Sequence, residues 1–559
     1  MAEMIGRRRD GRPMRNSQKR NGEQPSTPVS PSRPALADAA DANFRYRWLI
    51  LAGLILAAAM EVLDTTIVNV ALPQMAGNLS TTTQEIAWVS TGYILSNVVV
   101  LPMTAFLNTF FGRRNYLTGS IVLFTVASFF CGASHGLGEL IFWRVLQGVG
   151  GAALISTAQA TLVQVFPPQE QGVVQPVFLM GLVVFPTLGP TLGGWITDAA
   201  SWNWCFFINI PIGLVAGGIV FFLLHDTEPA RRDEPVDWAG IGLLAAGLAS
   251  LQYVLEEGEQ DDWFASAAIV RLAALSAVSL AALVAWQLSP RNTHPVIALR
   301  VLKNRSLSAG IVLFVAVGFG LYGVNYLYPL LAQQLQGLSA LQSGLALLPG
   351  GLATAFSIVF CGVISSSPKG GPDARLLTLF GIALSVVGMW GLAHLNAQSG
   401  VPDTFWPLLI RGFSIGFLFV PVNQLAIGSL PPDQVNQGTG LLGLARQLGG
   451  SVGIAILATF LQSHQHINRA NSVGYLTPSH PAYNDRLAGL TGGLVAHGYS
   501  LADAQNGALG LIDRALTQQV AAMSFNDTFL ALMLISLTMV PTLLLLKKPK
   551  PGAAPVAMH

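Results

Sequence analysis

From Trp48 to Leu546 the chain alternates apolar runs of roughly 20 residues with short polar breaks, and each run, as a helix, is long enough to cross a hydrocarbon core of about 30 Å. The breaks predict fourteen membrane-spanning helices, numbered here as spans 1 to 14, at about 48–72, 85–107, 115–134, 137–165, 172–198, 203–224, 238–257, 264–287, 306–332, 341–364, 374–395, 404–429, 436–462 and 525–546. The expected fold class is an all-α integral membrane protein. An even number of spans leaves both chain ends on one side.

Three stretches break this pattern. Residues 1–43 are polar, rich in Arg, Pro and Ser, and lack an apolar core of about 7–15 residues, so they read as a disordered tail and not as a cleaved signal. Residues 547–559 form a second short tail. Residues 463–524 are polar enough to lie outside the membrane as a solvated loop, although "LAGLTGGLVAHG" and "ALGLIDRALTQQV" have the composition of short helices lying on the membrane or against the protein.

Charge orients the spans. Only 10% of the 559 residues are charged against 52% hydrophobic, where a soluble domain carries about 25% charged residues. Of the 30 basic residues, ten precede span 1, and the same side of the map collects Arg113, Arg114, Arg231, Arg232, Arg291, Arg300, Lys303, Arg305, Lys369, Arg375, Lys547, Lys548 and Lys550. The other side holds only Arg469, Arg486 and Arg514. Basic residues accumulate in cytoplasmic loops, so both termini are expected in the cytoplasm and the acidic stretch "EEGEQDDW" (256–263) outside.

The same numbers exclude other classes. A net charge of +2, with basic residues scattered between spans, gives no footprint for nucleic acid. Cys131, Cys205 and Cys361 are far apart and read as packing residues, neither a disulfide framework nor a metal site. His464 and His466 fall in the 463–524 segment without further ligands and read as solvated. No His/Glu metal spacing, nucleotide-binding glycine loop or nucleophile elbow occurs, so no enzyme activity and no resident cofactor is expected.

What remains is charge inside the membrane. "MEVLDTTIVNVALP" (60–73) places Glu61 and Asp64 three positions apart in span 1, where an ionisable group costs about 2.5–3.5 kcal/mol on the mildest scale and generally faces a cavity or a partner. Positions 61, 64, 65, 68 and 69 share one helix face, which presents Glu61, Asp64, Thr65 and Asn69 as an inward polar stripe. Burial and mutual repulsion oppose charging both acids, so at least one should exchange protons near neutral pH.

Arg144 in "FWRVLQGVGGAAL" lies at a depth in span 4 similar to that of Asp64 in span 1, which makes it equally a proton-relay partner and a structural ion pair. Arg446 in "LARQLGGSVG" is an intramembrane cation of the second half. Arg271 and Arg411 sit nearer the outer ends and read as snorkelling. In span 5, "FPTLGPTLGGWI" combines Gly189, Gly193 and Gly194 with Pro190, a pattern for close helix approach and a bend.

These motifs resemble a known family. "LDTTIVNVALP" (63–73), "RVLQGVGGAA" (144–153), "GPTLGG" (189–194), "WNWCFFINIPIG" (202–213), "YLYPLLAQQLQGLSALQSGLALLPGG" (326–351) and "ARQLGGSVG" (445–453) are similar to motifs of the fourteen-span drug:proton antiporters of the major facilitator superfamily, the EmrB/QacA type. The resemblance covers roughly residues 44–546. One motif departs: "AFLNTFFGRR" (105–114) keeps Gly112, Arg113 and Arg114 of the cytoplasmic gate loop but has Ala105 and Thr109 where the family usually has Gly and Asp, and "SSSPKGGPDAR" (365–375) also matches poorly.

The resemblance implies the major facilitator fold: a six-helix bundle over 44–224, two inserted spans and a linker over 225–305, and a second six-helix bundle over 306–546, with a cavity between the bundles. It implies a multidrug efflux transporter of a bacterial inner membrane, driven by the proton gradient, that exports hydrophobic, often cationic compounds. Asp64, with Glu61 and Arg144, would couple protons; Tyr322, Asn325, Tyr326, Asn423, Gln424 and Arg446 would line the substrate cavity. It also allows a periplasmic adaptor and an outer-membrane channel as partners. An exporter of one metabolite or peptide, or a receptor or scaffold that transports nothing, are the competing readings.

Overall fold

A chain in hydrocarbon must satisfy its backbone internally, and a run of about 20 apolar residues does so as a helix. The computed structural model describes residues 41–226, 235–292, 294–365, 372–431 and 434–543, and their regular structure is helical throughout. Span 1 is Arg47–Leu79. Span 2 is Thr83–Val100, which passes through a tight turn at Leu101–Met103 into Thr104–Phe111. Spans 3 to 5 are Arg113–Ala133, Leu137–Val165 and Pro168–Ala199, and span 6 comprises Trp204–Phe207 and Asn209–Leu223.

Spans 7 and 8 are Trp238–Glu257 and Ala267–Leu288. Spans 9 to 12 are Arg305–Gln334, Ala340–Ser365, Ala374–Leu392 and Val401–Ile427. Span 13 is Val435–Val473, and span 14 is Leu501–Leu537 followed by Met539–Leu543. Thirteen of these are long and apolar enough among the described residues to cross a membrane; span 5 has the length, with an apolar stretch at Val173–Leu182.

Spans 1 to 6 pack on one another, as do spans 9 to 14. A core of Leu54, Ala58, Phe124, Leu154 and Phe178 fills the first group and continues across to Ile358, Cys361 and Phe417 of the second, so the two groups meet through apolar side chains. Spans 7 and 8 lie against span 2 through Val98, Met103, Leu244, Leu248 and Leu283, with Leu441, Leu444 and Leu448 of span 13 packed on the same cluster.

Asp237, one residue before span 7, fastens this inserted pair. Its carboxylate accepts from the backbone N–H of Gly240 (2.8 Å), Trp286 Nε1 (2.8 Å), Gln287 Nε2 (3.0 Å), Asn292 Nδ2 (2.8 Å) and the N–H of Val296 (3.4 Å). Burial would raise its pKa, but these donors prevail and hold it below the usual carboxylate value.

The segment at 463–524 is largely helix: both stretches expected to be helical are so, and the rest is more regular than the expected solvated loop. Span 13 runs on to Val473, Pro481–Ala496 forms a separate helix, and span 14 begins at Leu501. A 39-residue helix is about 58 Å long, roughly twice the hydrocarbon thickness. Polar contacts hold the projecting parts together: Asn468 Nδ2 donates to Ser524 Oγ and Asp527 Oδ2, both at 3.1 Å, and Arg469 pairs with Asp513 at 2.6 Å. His464, expected to be solvated, is half-buried on this helix and stacks on Phe460 with ring centroids 3.8 Å apart.

Two further expectations change. Arg411 does not snorkel: it is buried in span 12, and its Nη2 donates to the carbonyls of Gly320 and Leu321 in span 9 at 3.0 and 3.1 Å. The expected tails at 1–43 and 547–559 lie outside the described residues except at 41–43. There Asn43 is buried and exchanges hydrogen bonds with the backbone of His225, both at 2.9 Å.

Candidate functional site

Span 1 brings its two acids into different surroundings. Asp64 is fully buried inside the first bundle, where Arg144 Nη1 donates to Oδ2 at 2.5 Å, and Gln147 Nε2 and Asn209 Nδ2 donate to Oδ1 at 2.9 and 3.0 Å. The guanidinium is equally enclosed. Its Nε donates to the carbonyl of Val89 (2.8 Å), its Nη1 also to Gln147 Oε1 (2.7 Å), and it lies 4.4 Å from the Tyr93 ring centroid.

Spans 1, 2, 4 and 6 all contribute to this network, and Ser128 of span 3 closes it by accepting from Gln147 Nε2 at 2.6 Å. These further hydrogen bonds support the pair in its buried setting; removing one partner of a buried pair costs about 3–5 kcal/mol.

Small residues let the helices come this close. A Cβ on Gly150 would stand 2.9 Å from the Phe124 nitrogen and the Ser120 carbonyl oxygen of span 3. In span 5, Gly189 lies directly against Thr66, and a Cβ on Gly193 would stand 2.9 Å from the Ile67 carbonyl oxygen. The predicted glycine motif thus packs on span 1 immediately beyond Asp64. The side chain of Pro190 lies outside the described ones.

Glu61 turns the other way, into a small cavity between the bundles. Its Oε1 accepts from Asn97 Nδ2 and its Oε2 from the Ile155 N–H, both at 3.2 Å. The facing wall comes from the second bundle and includes Asn423, Arg446 and Gln447. Arg446 Nη1 donates to Tyr322 Oη at 2.9 Å, and Tyr322 in turn donates to Gln447 Oε1 at 3.3 Å. The lining therefore carries an acid on one bundle and a cation on the other, with Leu101, Leu179, Leu182, Phe314, Phe419 and Leu442 supplying apolar surface.

Of the residues expected to line this space, Arg446 and Asn423 do; Tyr322 stands behind Arg446 and positions it. Asn325, Tyr326 and Gln424 do not line it: Asn325 and Tyr326 lie about one turn, roughly 5 Å, further along span 9 than Tyr322, and Gln424 points about 100° away from Asn423 on span 12. Asn97, Gln159, Thr439 and Gln447 line it unpredicted, as do Gln147 and Asn209 in the Asp64 network. Isolated amides in apolar runs were the available signal.

At the gate loop, Gly112 has φ +81°, a conformation that separates spans 2 and 3 and favours glycine. Arg114 continues from it onto span 6: its N–H donates to Asp226 Oδ1 (2.8 Å), and its Nε and Nη2 donate to the Phe221 carbonyl (2.9 and 2.6 Å). The side chain of the preceding Arg113 is half-buried.

Residues 54–454 match the family model described as Major Facilitator Superfamily. The chain belongs to the major facilitator superfamily. Within this superfamily it falls among the drug exporters: it is 32% identical over 478 residues to the multidrug export protein EmrB of Escherichia coli (strain K12), covering 85% of this chain and 90% of the relative. It is 31% identical over 503 residues to the fatty acid resistance protein FarB of Neisseria gonorrhoeae, covering 90% and 96%. The crystal structure of the human organic anion transporter MFSD10 superposes with a TM-score of 0.52 over 90% of this chain and all of that one; at 14% identity this shows a shared superfamily fold.

Proposed function

We propose that this multidrug efflux transporter moves hydrophobic and amphiphilic small molecules out of the cell by alternating access, in exchange for protons. The observation that carries the reading is Glu61, a carboxylate on the wall of a cavity between two bundles, opposite Arg446. A lipophilic cation entering the cavity meets the carboxylate and aromatic surface at Phe314 and Phe419. Cation and proton then compete for one group, which is the condition for exchange.

Asp64 and Arg144 serve in this scheme as the rigid element behind Glu61. Changing the charge on Glu61 alters its hold on Asn97 and on the backbone of Ile155 in span 4, the helix that also carries Arg144. Protonation of Asp64 would release Arg144, Gln147 and Asn209 together, and so would loosen the joint between spans 1, 4 and 6 at once.

The lining also supports anionic amphiphiles. Arg446 offers a carboxylate headgroup a partner in the same cavity, and a relative is named for fatty acid resistance. The sided distribution of basic residues supports an orientation with both chain ends in the cytoplasm of a bacterial inner membrane. The projecting helices of spans 13 and 14 would then face outward, where a periplasmic adaptor leading to an outer-membrane channel could dock.

Proton flux from proteoliposomes with an imposed pH gradient tests the reading, on addition of a panel of lipophilic cations and fatty acids. Substrate-triggered proton movement that is lost in Asp64→Asn supports antiport through this network. No flux with any compound would favour a carrier of one defined metabolite, or a receptor.

A further inference from the structure

Span 7 touches both bundles near its far end. Toward the first, Thr91 Oγ1 donates to Glu257 Oε1 at 3.4 Å, and Trp88 lies 5.6 Å from Tyr253 by ring centroids. Toward the second, Gln252 Nε2 donates to Ser451 Oγ at 2.8 Å, and Trp263, just past the helix, donates from Nε1 to Thr459 Oγ1 at 3.0 Å. A helix that only filled space against lipid would need none of these polar contacts.

Gln252 is the centre of the arrangement. It is fully buried, and its Nε2 also donates to Glu256 Oε1 at 2.8 Å, while its Oε1 has no hydrogen-bond partner among the described residues. A buried acceptor left empty costs about 1–3 kcal/mol. The vacancy fits a second state: once Glu256 takes up a proton, its O–H can donate to Gln252 Oε1, and the amide that turns to accept it withdraws its N–H from Ser451.

Ser451 stands one helical turn beyond Gln447 on span 13, and Gln447 lines the cavity and accepts from Tyr322, which holds Arg446. A polar track therefore leads from the acidic turn 256–262 through span 7 to the cavity wall opposite Glu61. The groups facing Glu256 are acidic or neutral: Glu257 is its charged neighbour, Tyr253 lies one turn back, and Tyr326 of span 9 faces Glu259 of the same turn.

We propose that Glu256, on the inserted span 7, is a second proton-exchanging carboxylate of the transport cycle, and that Gln252 reports its protonation to span 13. The proton comes from water at the far face and neutralises the Glu256 carboxylate. After the carrier alternates, the proton leaves to water on the opposite face as Gln252 turns back to Ser451, so one proton crosses the membrane per cycle. The inference rests on the proton-antiport reading and gives the inserted pair a part in coupling.

The test compares two assays of the full-length protein in proteoliposomes: accumulation of a lipophilic cation driven by a pH gradient, and counterflow of labelled against unlabelled cation with no gradient. Glu256→Gln should cut gradient-driven accumulation by about tenfold or more and leave counterflow within about twofold, since exchange needs alternation but no net proton movement. Gln252→Leu, which keeps the carboxylate but severs its link to span 13, should show the same split and carries the test if the first variant does not fold. Glu257→Gln should behave as wild type.

Accumulation by Glu256→Gln and Gln252→Leu within about twofold of wild type would overturn the proposal. Equal loss of accumulation and counterflow would also overturn it, because that is the signature of a structural contact. A wild type that accumulates nothing under a gradient would instead sink the antiport reading beneath it.

Discussion

Glu61 and Asp64 lie one helical turn apart on span 1 and end in separate compartments: Glu61 lines the cavity between the bundles, and Asp64 is sealed against Arg144 within the first bundle. One helix thus carries a group that substrate can reach and a group that locks the surrounding spans.

The two acids should respond differently to neutralisation. Glu61→Gln keeps an acceptor for Asn97 and should shift the protein's melting by little, with stability changed by about 1 kcal/mol or less, yet weaken lipophilic-cation binding by about tenfold. Equilibrium binding and thermal unfolding of the same detergent-purified sample check both.

Arg144 should tolerate no substitute. Arg144→Lys keeps the charge but not the planar fork that serves Val89, Gln147 and Asp64 together, so we expect a loss of about 2–4 kcal/mol and of export. Drug-resistance assays alongside unfolding curves measure it; a lysine variant as stable and active as wild type would refute this use of the guanidinium.

The span 5 glycines separate two kinds of close contact. Gly189→Ala meets both Oγ1 and Cβ of Thr66, so Thr66→Gly, which removes both, should restore part of the lost transport. Gly193→Ala meets the Ile67 carbonyl oxygen, which no side-chain change can move, and should stay defective by about tenfold or more. Transport rates of the four variants distinguish these cases.

Asp237 makes the inserted pair sensitive to acid. Its pKa is lowered in the folded protein, so the stability it contributes is present above the ordinary carboxylate value of about 3.9 and is lost as pH falls through the lowered value. Asp237→Asn, which presents N–H where five donors converge, should loosen spans 7 and 8 at neutral pH and remove this acid-dependent part. Hydrogen exchange of residues 238–288 as a function of pH reads both effects.

Much of this was legible in the sequence because it is written in composition. Apolar runs placed the helices, and the depth of Asp64 and Arg144 along their spans predicted that they meet. Side-chain direction is not written that way: three positions on span 1 separate a cavity wall from a bundle interior, and on span 12 Gln424 differs from the lining Asn423 by one position. At 463–524 the composition marked two helical stretches, but the continuation of spans 13 and 14 into the segment was hidden, because hydropathy marks where the membrane ends and not where a helix does. Asp237 was invisible because its five donors come from three separate stretches, so no local spacing announces them.

The central claim is that cation and proton compete at Glu61. Proton release on binding measures it directly: a lipophilic cation is added to purified protein in weakly buffered solution with a pH indicator. The account predicts that wild type releases protons on binding and that Glu61→Gln, at concentrations where it still binds, releases few or none. Equal release by the two proteins would contradict it.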